Sequence, residues 1–229
     1  RPMVVEDLFA LSELDGVVPA LAYLEAQNRV VAGDPSQSTN SARGKHVVIL
    51  GGGDTGADCL GTAHRQGATS VTQIEIADSP PLERAADNPW PRWPRILRVS
   101  PAHEEGGVRE FALETTRLEG DAAAVKRLVA RRGDSDVVFD ADLVLLAMGF
   151  TGPLLEPSAL FDVPLDARGL IATDSRLQIG AGKLFAMGDA RVGASLIVTA
   201  IAEGRRAAAS IAAWLAGELP ARRSLPLAG

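Results

Sequence analysis

The sequence predicts an α/β fold organised on a parallel sheet, and three observations predict it. First, the apolar, β-branched run His46-Val47-Val48-Ile49-Leu50 leads directly into Gly51-Gly52-Gly53-Asp54-Thr55-Gly56, which leads into a helical stretch over 57–66. Strand, G-x-G-x-x-G and helix in that order are the context of the dinucleotide fingerprint; a structural glycine turn is the alternative reading. Second, a strand-like run over 70–76 (SVTQIEI) closes a βαβ unit of about thirty residues, the size such a unit needs. Third, residues 143–147 are wholly apolar, as in a strand buried on both faces of a parallel sheet.

Ahead of the loop, Val17, Leu21 and Leu24 fall at helical spacing behind Asp15, a candidate cap, which predicts a helix. The polar stretch 33–44, with Pro35, three serines and Thr39, reads as a linker and as the best domain boundary. In the loop, Gly51 permits a tight turn, and Gly53 removes the side chain that would block a pyrophosphate. Gly56 lets the helix pack close. A pyrophosphate then sits against N–H groups at the positive end of the helix.

Beyond the βαβ unit, the Pro-rich stretch 79–94 rules out continuous helix or central strand, and its Trp90 and Trp93 read as residues that pack a loop. Residues 108–118 and 124–131 read as strands around a Gly120-Asp121 turn. With 137–139 they form an antiparallel meander laid over the nucleotide fold. Near the end, 183–190 (KLFAMGDA) reads as an apolar strand closing on Gly188-Asp189. A long helix follows over 195–215, with Glu203 and Arg205 on its polar side, and the tail after Glu218 reads as frayed. Asp189 at a strand end suits a ribose or ribityl hydroxyl, or simply caps a turn.

Composition narrows the function classes. At 229 residues the chain accommodates one large or two small domains. Its net charge of −6, with no Lys/Arg-rich block, argues against a nucleic-acid partner. No run of about eighteen uncharged apolar residues exists, which argues against a membrane span. Cys59 is the only cysteine; intrachain disulfides and Cys-ligated iron–sulfur clusters within this chain are excluded, and a small packed thiol is expected. His64 and Arg65 read as solvated, and His103 with Glu104 and Glu105 lacks metal-ligand spacing. No signal-peptide pattern opens the chain, which starts at Arg1; the expectation is a fragment or processed product in the cytoplasm.

These residues reach a resemblance. The strings 51–58 (GGGDTGAD), 65–68 (RQGA) and 71–76 (VTQIEI) resemble the small (β) subunit of glutamate synthase. So do 86–94 (ADNPWPRWP), 103–106 (HEEG), Gly188-Asp189 and 193–205 (GASLIVTAIAEGR). Asp15-Gly16, Ala22-Tyr23-Leu24 and Gln27-Asn28-Arg29 resemble its helix ahead of the nucleotide domain, so the likeness runs from about Leu14 to Trp214. The Trp–Pro tract is its specific part; the two glycine motifs are shared by many flavin disulfide-reductase-like proteins. The resemblance implies a Rossmann-like pyridine-nucleotide domain (44–146) inserted into an incomplete FAD-binding Rossmann-like domain. Residues 1–43 would be the remnant and linker of the latter, and 147–229 its C-terminal part.

The implied activity is electron input: NADPH or NADH is oxidised on FAD, and electrons pass through iron–sulfur clusters to the large subunit. That partner makes glutamate from glutamine and 2-oxoglutarate. By the resemblance, Gly51, Gly53, Asp54, Thr55 and Gly56 hold the pyridine-dinucleotide pyrophosphate. Gly188 and Asp189 hold the FAD ribityl–pyrophosphate, while Ser195, Leu196, Ile197 and Val198 line the flavin. Hydride transfer needs stacking and orientation, not a protein acid or base, so no catalytic residue is named. The family's cluster cysteines and first G-x-G-x-x-G have no counterpart in this sequence, so the FAD site here is expected to be a half-site. An acid closing the second strand favours NADH, and Glu75, with Asp78 nearby, is that acid; Arg84 and the NADPH label of bacterial members keep NADPH open. A related FAD-linked NAD(P)H reductase and a non-catalytic nucleotide-binding or subunit-interaction remnant are the alternatives.

Overall fold

Strands β1 (Val17–Pro19), β2 (His46–Leu50), β3 (Ser70–Ile74), β4 (Val108–Glu110) and β8 (Leu143–Leu146) build one parallel sheet in the order β1-β8-β2-β3-β4. The computed structural model describes residues 14–34, 40–90, 94–121, 124–150, 152–153, 163–180 and 182–217. It divides into two compact units, Arg1–Met148 and Gly149–Gly229. In the first, the period-two alternation of the central strands sends side chains to two cores. Val47, Ile49, Val71, Leu143 and Leu145 pack with Tyr23 of helix α1 (Ala20–Val31) and with Cys59, Leu60 and Ala63 of α2 (Asp54–Gln66). Val48, Leu50, Ile74 and Val144 pack on the other face. Their partners there include Leu118, Val125 and Leu128 of the meander β5 (Glu114–Asp121), β6 (Ala124–Arg132) and β7 (Ser135–Asp140). A short helix, α3 (Pro101–Glu104), precedes β4.

Several local expectations are corrected. Val17 lies in an edge strand, not in a helix: the β-branched Val17 and Val18 pair with Val144 and Leu145, and Pro19 ends the strand before the helix begins. Leu21, read at helical spacing, lies in the helix but is 54% exposed. The 108–118 run is two strands in two sheets, broken at Ala112, whose φ of 53° turns the chain out of the parallel sheet. Gly120 and Asp121 lie inside β5, opposite Val125 and Ala124, and the connection at 122–123 lies outside the described residues. α2 starts at Asp54, inside the glycine motif and three residues before the expected 57, and is capped after Gln66 by Gly67 at φ +86°. β3 stops at Ile74.

The polar stretch 33–44 does not divide the units. Within it Ala42 is fully buried, its N–H donating to Gln66 Oε1 at 2.6 Å, while 35–39 lie outside the described residues.

The second unit contains α4 (Asp189–Val192), α5 (Ile197–Leu215) and two isolated bridges, Leu165–Ile171 and Gln178–Phe185. The run over 183–190 is not a strand. Among the described residues only Phe185 finds a bridging partner, Gln178, and a single bridge is not the run of successive paired residues that makes a strand. The α5 helix starts at Ile197, two residues after the expected 195. It buries Glu203 and Ala207 and exposes Ile197, Val198 and Ile201, so Glu203 is not on a solvated face. The tail after Glu218 and the expected packing of Trp93 lie outside the described residues. No described helix is long and apolar enough to cross a membrane.

Candidate nucleotide-binding site

The glycine loop leaves β2 at the carboxyl end of the sheet, between β3 and β8. Gly51 has φ +119°, donates its N–H to Ile74 O at 2.8 Å, and runs so close to β8 that a Cβ there would overlap the Ala147 carbonyl. A Cβ on Gly56 would overlap Gly51 O and the Gln73 amide, so helix and loop touch backbone to backbone. Gly53, between them, is different: a Cβ there would meet nothing within 4 Å. Gly53 is the N-cap of α2 in extended geometry with no side-chain cap, and the first bond closing on it runs from Ala57 N–H to Gly53 O at 3.0 Å. The N–H groups of Asp54, Thr55 and Gly56 precede that bond at the positive end of the helix. Asp54 is exposed and Thr55 half-buried, while Gly56 is buried. Two packed glycines around an open one, with first-turn donors beside it, fit a diphosphate.

Two polar side chains of the β3 edge hold the loop. Glu75 accepts the Gly52 N–H at 2.6 Å through Oε2 and the Ala77 N–H at 3.1 Å through Oε1. Gln73, 2% exposed, donates its amide to Gly51 O at 2.8 Å and faces His103 Nε2 at 3.0 Å through its Oε1. Burial and the Arg109 guanidinium push the His103 imidazole below its ordinary value. Sequence reading missed Gln73 and weighed His103 only as a metal ligand; the signal available for Gln73 was an amide among apolar strand residues.

The Gly188-Asp189 turn is built by α5. Gly188 is buried at φ +64° and donates its N–H to Glu203 Oε2 at 2.9 Å. The Arg191 guanidinium forks onto both oxygens of Glu203, and Arg206 Nη1 stands 3.7 Å from Oε1. The hydrogen bond from Arg191 holds the Glu203 carboxyl below the usual carboxylate range. Asp189 is exposed, and Ser195 Oγ donates to its Oδ1 at 3.5 Å. Leu196 and Ile197 follow, both exposed. The structure thus joins Gly188, Asp189 and Ser195 in one turn. Glu203 and Arg191, which sequence reading placed elsewhere or passed over, hold that turn closed.

Of the remaining singled-out residues, His64, expected to be solvated, is half-buried, and its enclosed Nε2 has no hydrogen-bond partner. Arg65 pairs with Glu105. Trp90 is 81% exposed, contrary to the packing role expected of it. Cys59 is buried against the sheet, which pushes its thiol up to about 12.

A parallel sheet whose central strand runs through a glycine loop into a bare helix N-terminus defines a dinucleotide-binding α/β protein. Residues 11–204 match the family model described as pyridine nucleotide-disulphide oxidoreductase, and the chain belongs to that family. Membership makes it part of an oxidoreductase and implies FAD and NAD(P)H as the family's cofactors. The chain is 46% identical over 91% of its length to the glutamate synthase [NADPH] small chain of Mycobacterium tuberculosis, and covers 47% of that protein. It is 34% identical over 89% of its length to the Escherichia coli small chain, covering 46% of it. Glutamate synthase [NADH] of Saccharomyces cerevisiae is 40% identical over 89% of this chain, which covers 11% of the yeast protein. The chain therefore spans about half the length of the small chains it matches. Thioredoxin reductase of T. acidophilum shares the fold, with a TM-score of 0.62 at 21% identity over 88% of this chain and 58% of the reductase.

Proposed function

We propose that the chain is the pyridine-nucleotide part of an NAD(P)H-oxidising electron-input module of the glutamate synthase type. In this reading residues 44–146 bind NAD(P)H, while 1–43 and 147–229 belong to an FAD-binding domain. Electrons pass from FAD to the large subunit, which makes glutamate from glutamine and 2-oxoglutarate. A cytoplasmic location goes with it. The single observation that carries the reading is the open space over Gly53 between the close-packed Gly51 and Gly56, at an uncapped helix N-terminus. The names of the relatives support the glutamate synthase part.

Bound together, the two cofactors supply hydride transfer from nicotinamide to flavin. The chain's own residues bind and orient. Gly51, Gly53 and Gly56, with the Asp54 and Thr55 N–H groups, receive the pyrophosphate, and Gly52 is set by Glu75. The Glu75 carboxylate at the end of β3 supports NADH over NADPH, because a 2′-phosphate brought there meets an anion. Gly188, Asp189, Ser195, Leu196 and Ile197 form the FAD half-site of the proposal, ordered by Glu203. Because Cys59 is the sequence's only cysteine, a Cys-ligated iron–sulfur cluster on the electron path is held by residues outside this chain.

The test is calorimetric titration of the chain with NADH and NADPH, followed by ferricyanide reduction with added FAD. The proposal expects NADH to bind about tenfold tighter than NADPH. Binding of neither coenzyme overturns it. Coenzyme binding with no flavin retained and no acceptor reduced would reduce the chain to a nucleotide-binding element.

A further inference from the structure

The histidine beside the loop is wired to it. Ser100 N–H donates to His103 Nδ1 at 3.1 Å, so Nδ1 is an acceptor and the proton of the neutral ring sits on Nε2. That Nε2–H points at Gln73 Oε1, 3.0 Å away, which leaves the Gln73 amide as a donor, and its Nε2 meets Gly51 O at 2.8 Å. Each group has one role compatible with its neighbours, so the direction of the chain is determined from Ser100 to Gly51. Gln73 lies in the core with both polar atoms used in this way.

We propose that His103 is a positioning residue for the dinucleotide loop: as the neutral Nε2–H form it orients Gln73, which holds the Gly51 carbonyl and so sets the cradle for a pyrophosphate. The inference rests on the nucleotide-binding reading above. Protonation puts a hydrogen on Nδ1, against the Ser100 N–H, and only the Ser100 hydroxyl, 3.1 Å from Nδ1, is left to receive it. The charges around the ring are Arg109 on β4, which opposes protonation, and Asp54 on α2, which favours it. Glu104 and Glu105 flank it on its own segment, with Glu105 engaged by Arg65, and His64 of α2 lies against Gly106 and Gly107. Burial and Arg109 outweigh Asp54, so the neutral ring prevails at neutral pH.

Two substitutions separate positioning from simple capping. In His103→Asn the amide oxygen replaces Nδ1 and keeps the Ser100 bond, but the side chain is too short to reach Gln73. In His103→Gln the amide nitrogen replaces Nε2 and reaches Gln73, while nothing titrates. The 229-residue chain and both variants are titrated with ADP-ribose, an acid-stable carrier of the pyrophosphate, between about pH 8 and about pH 4.5, which reaches well below an ordinary histidine because the His103 imidazole is held lower. The expected result is about fivefold weaker binding by His103→Asn at neutral pH, the consequence of one buried acceptor left unpaired. His103→Gln stays close to the parent at neutral pH and lacks the parent's loss of affinity on acidification. Nitrogen NMR of the parent shows the proton on Nε2. Parent-like binding by His103→Asn, or a pH profile unchanged in His103→Gln, overturns the positioning role alone. No binding of ADP-ribose or NADH by the parent overturns the nucleotide reading and this inference together.

Discussion

The carboxylate of Glu75 accepts the backbone N–H of Gly52 at 2.6 Å, tying the end of β3 to the middle of the glycine loop. Its second oxygen accepts the Ala77 N–H, so the side chain is anchored at both oxygens and faces the loop. An acid at this point of a βαβ unit reads the ribose of a dinucleotide, and here it also supports the backbone that receives the phosphates.

Glu75→Ala tests the support this side chain gives the loop, and Glu75→Gln tests its charge. The alanine leaves the Gly52 N–H without its acceptor, costing about 1–2 kcal/mol, read as a lower melting temperature. Glu75→Gln keeps an acceptor but removes the charge, and the preference for NADH over NADPH falls several-fold toward parity. A coenzyme ratio unchanged in Glu75→Gln would remove this residue from coenzyme selection.

Gly53→Ala and Gly56→Ala separate the fold from the site. An alanine at Gly53 enters open space at an ordinary φ of −80°, so thermal stability stays within about 0.5 kcal/mol of the parent. The same methyl occupies the phosphate position, and NADH affinity falls by about tenfold or more. At Gly56 the methyl meets the Gly51 carbonyl and the Gln73 amide, so stability falls together with binding, by about 1–3 kcal/mol. Full NADH affinity in Gly53→Ala would show that the phosphates lie elsewhere.

Acid should loosen the turn at Gly188. The Glu203 carboxyl is held below its ordinary value of 4.5 by Arg191 and the Gly188 N–H, so the folded state binds its proton less readily than the unfolded chain. Its contribution is complete above the ordinary value and is lost as pH falls through the depressed one. Glu203→Gln is expected to melt earlier at neutral pH and to lose part of the acid-side fall in melting temperature. Equal slopes in parent and variant between neutral and strongly acid pH would contradict the ion pair's role.

Cys59 should resist alkylation. Its thiol is buried and pushed up to about 12, so little thiolate exists at neutral pH and reagents cannot reach it. Iodoacetamide is expected to leave the folded chain unmodified and to label it fully in denaturant, as mass spectrometry reads. Rapid labelling of the folded chain would place the thiol at a surface.

Much of the fold was legible because its signals are local. The run HVVIL, the three glycines and the alternation of 70–74 each constrain their own backbone, and they appear as β2, the loop and β3. Where elements were misread, a distant partner decided. Val17 carries a helical spacing with Leu21 and Leu24, yet β8 offers it and Val18 an edge to pair with. Residues 183–190 look like a strand, yet no described neighbour pairs with more than Phe185.

The sequence by itself determined the class of site: a strand, a glycine loop and a helix start specify one another across neighbouring residues. It also determined that no Cys-ligated cluster lies in this chain, since one cysteine is too few. Only the tertiary structure decided which polar side chains hold the two glycine turns. Glu75 reaches Gly52 across 23 residues, Gln73 meets His103 across 30, and Glu203 reaches Gly188 across 15. A backbone pattern is set by neighbours in sequence, whereas a buried carboxylate or amide takes the donor or acceptor that packing brings to it.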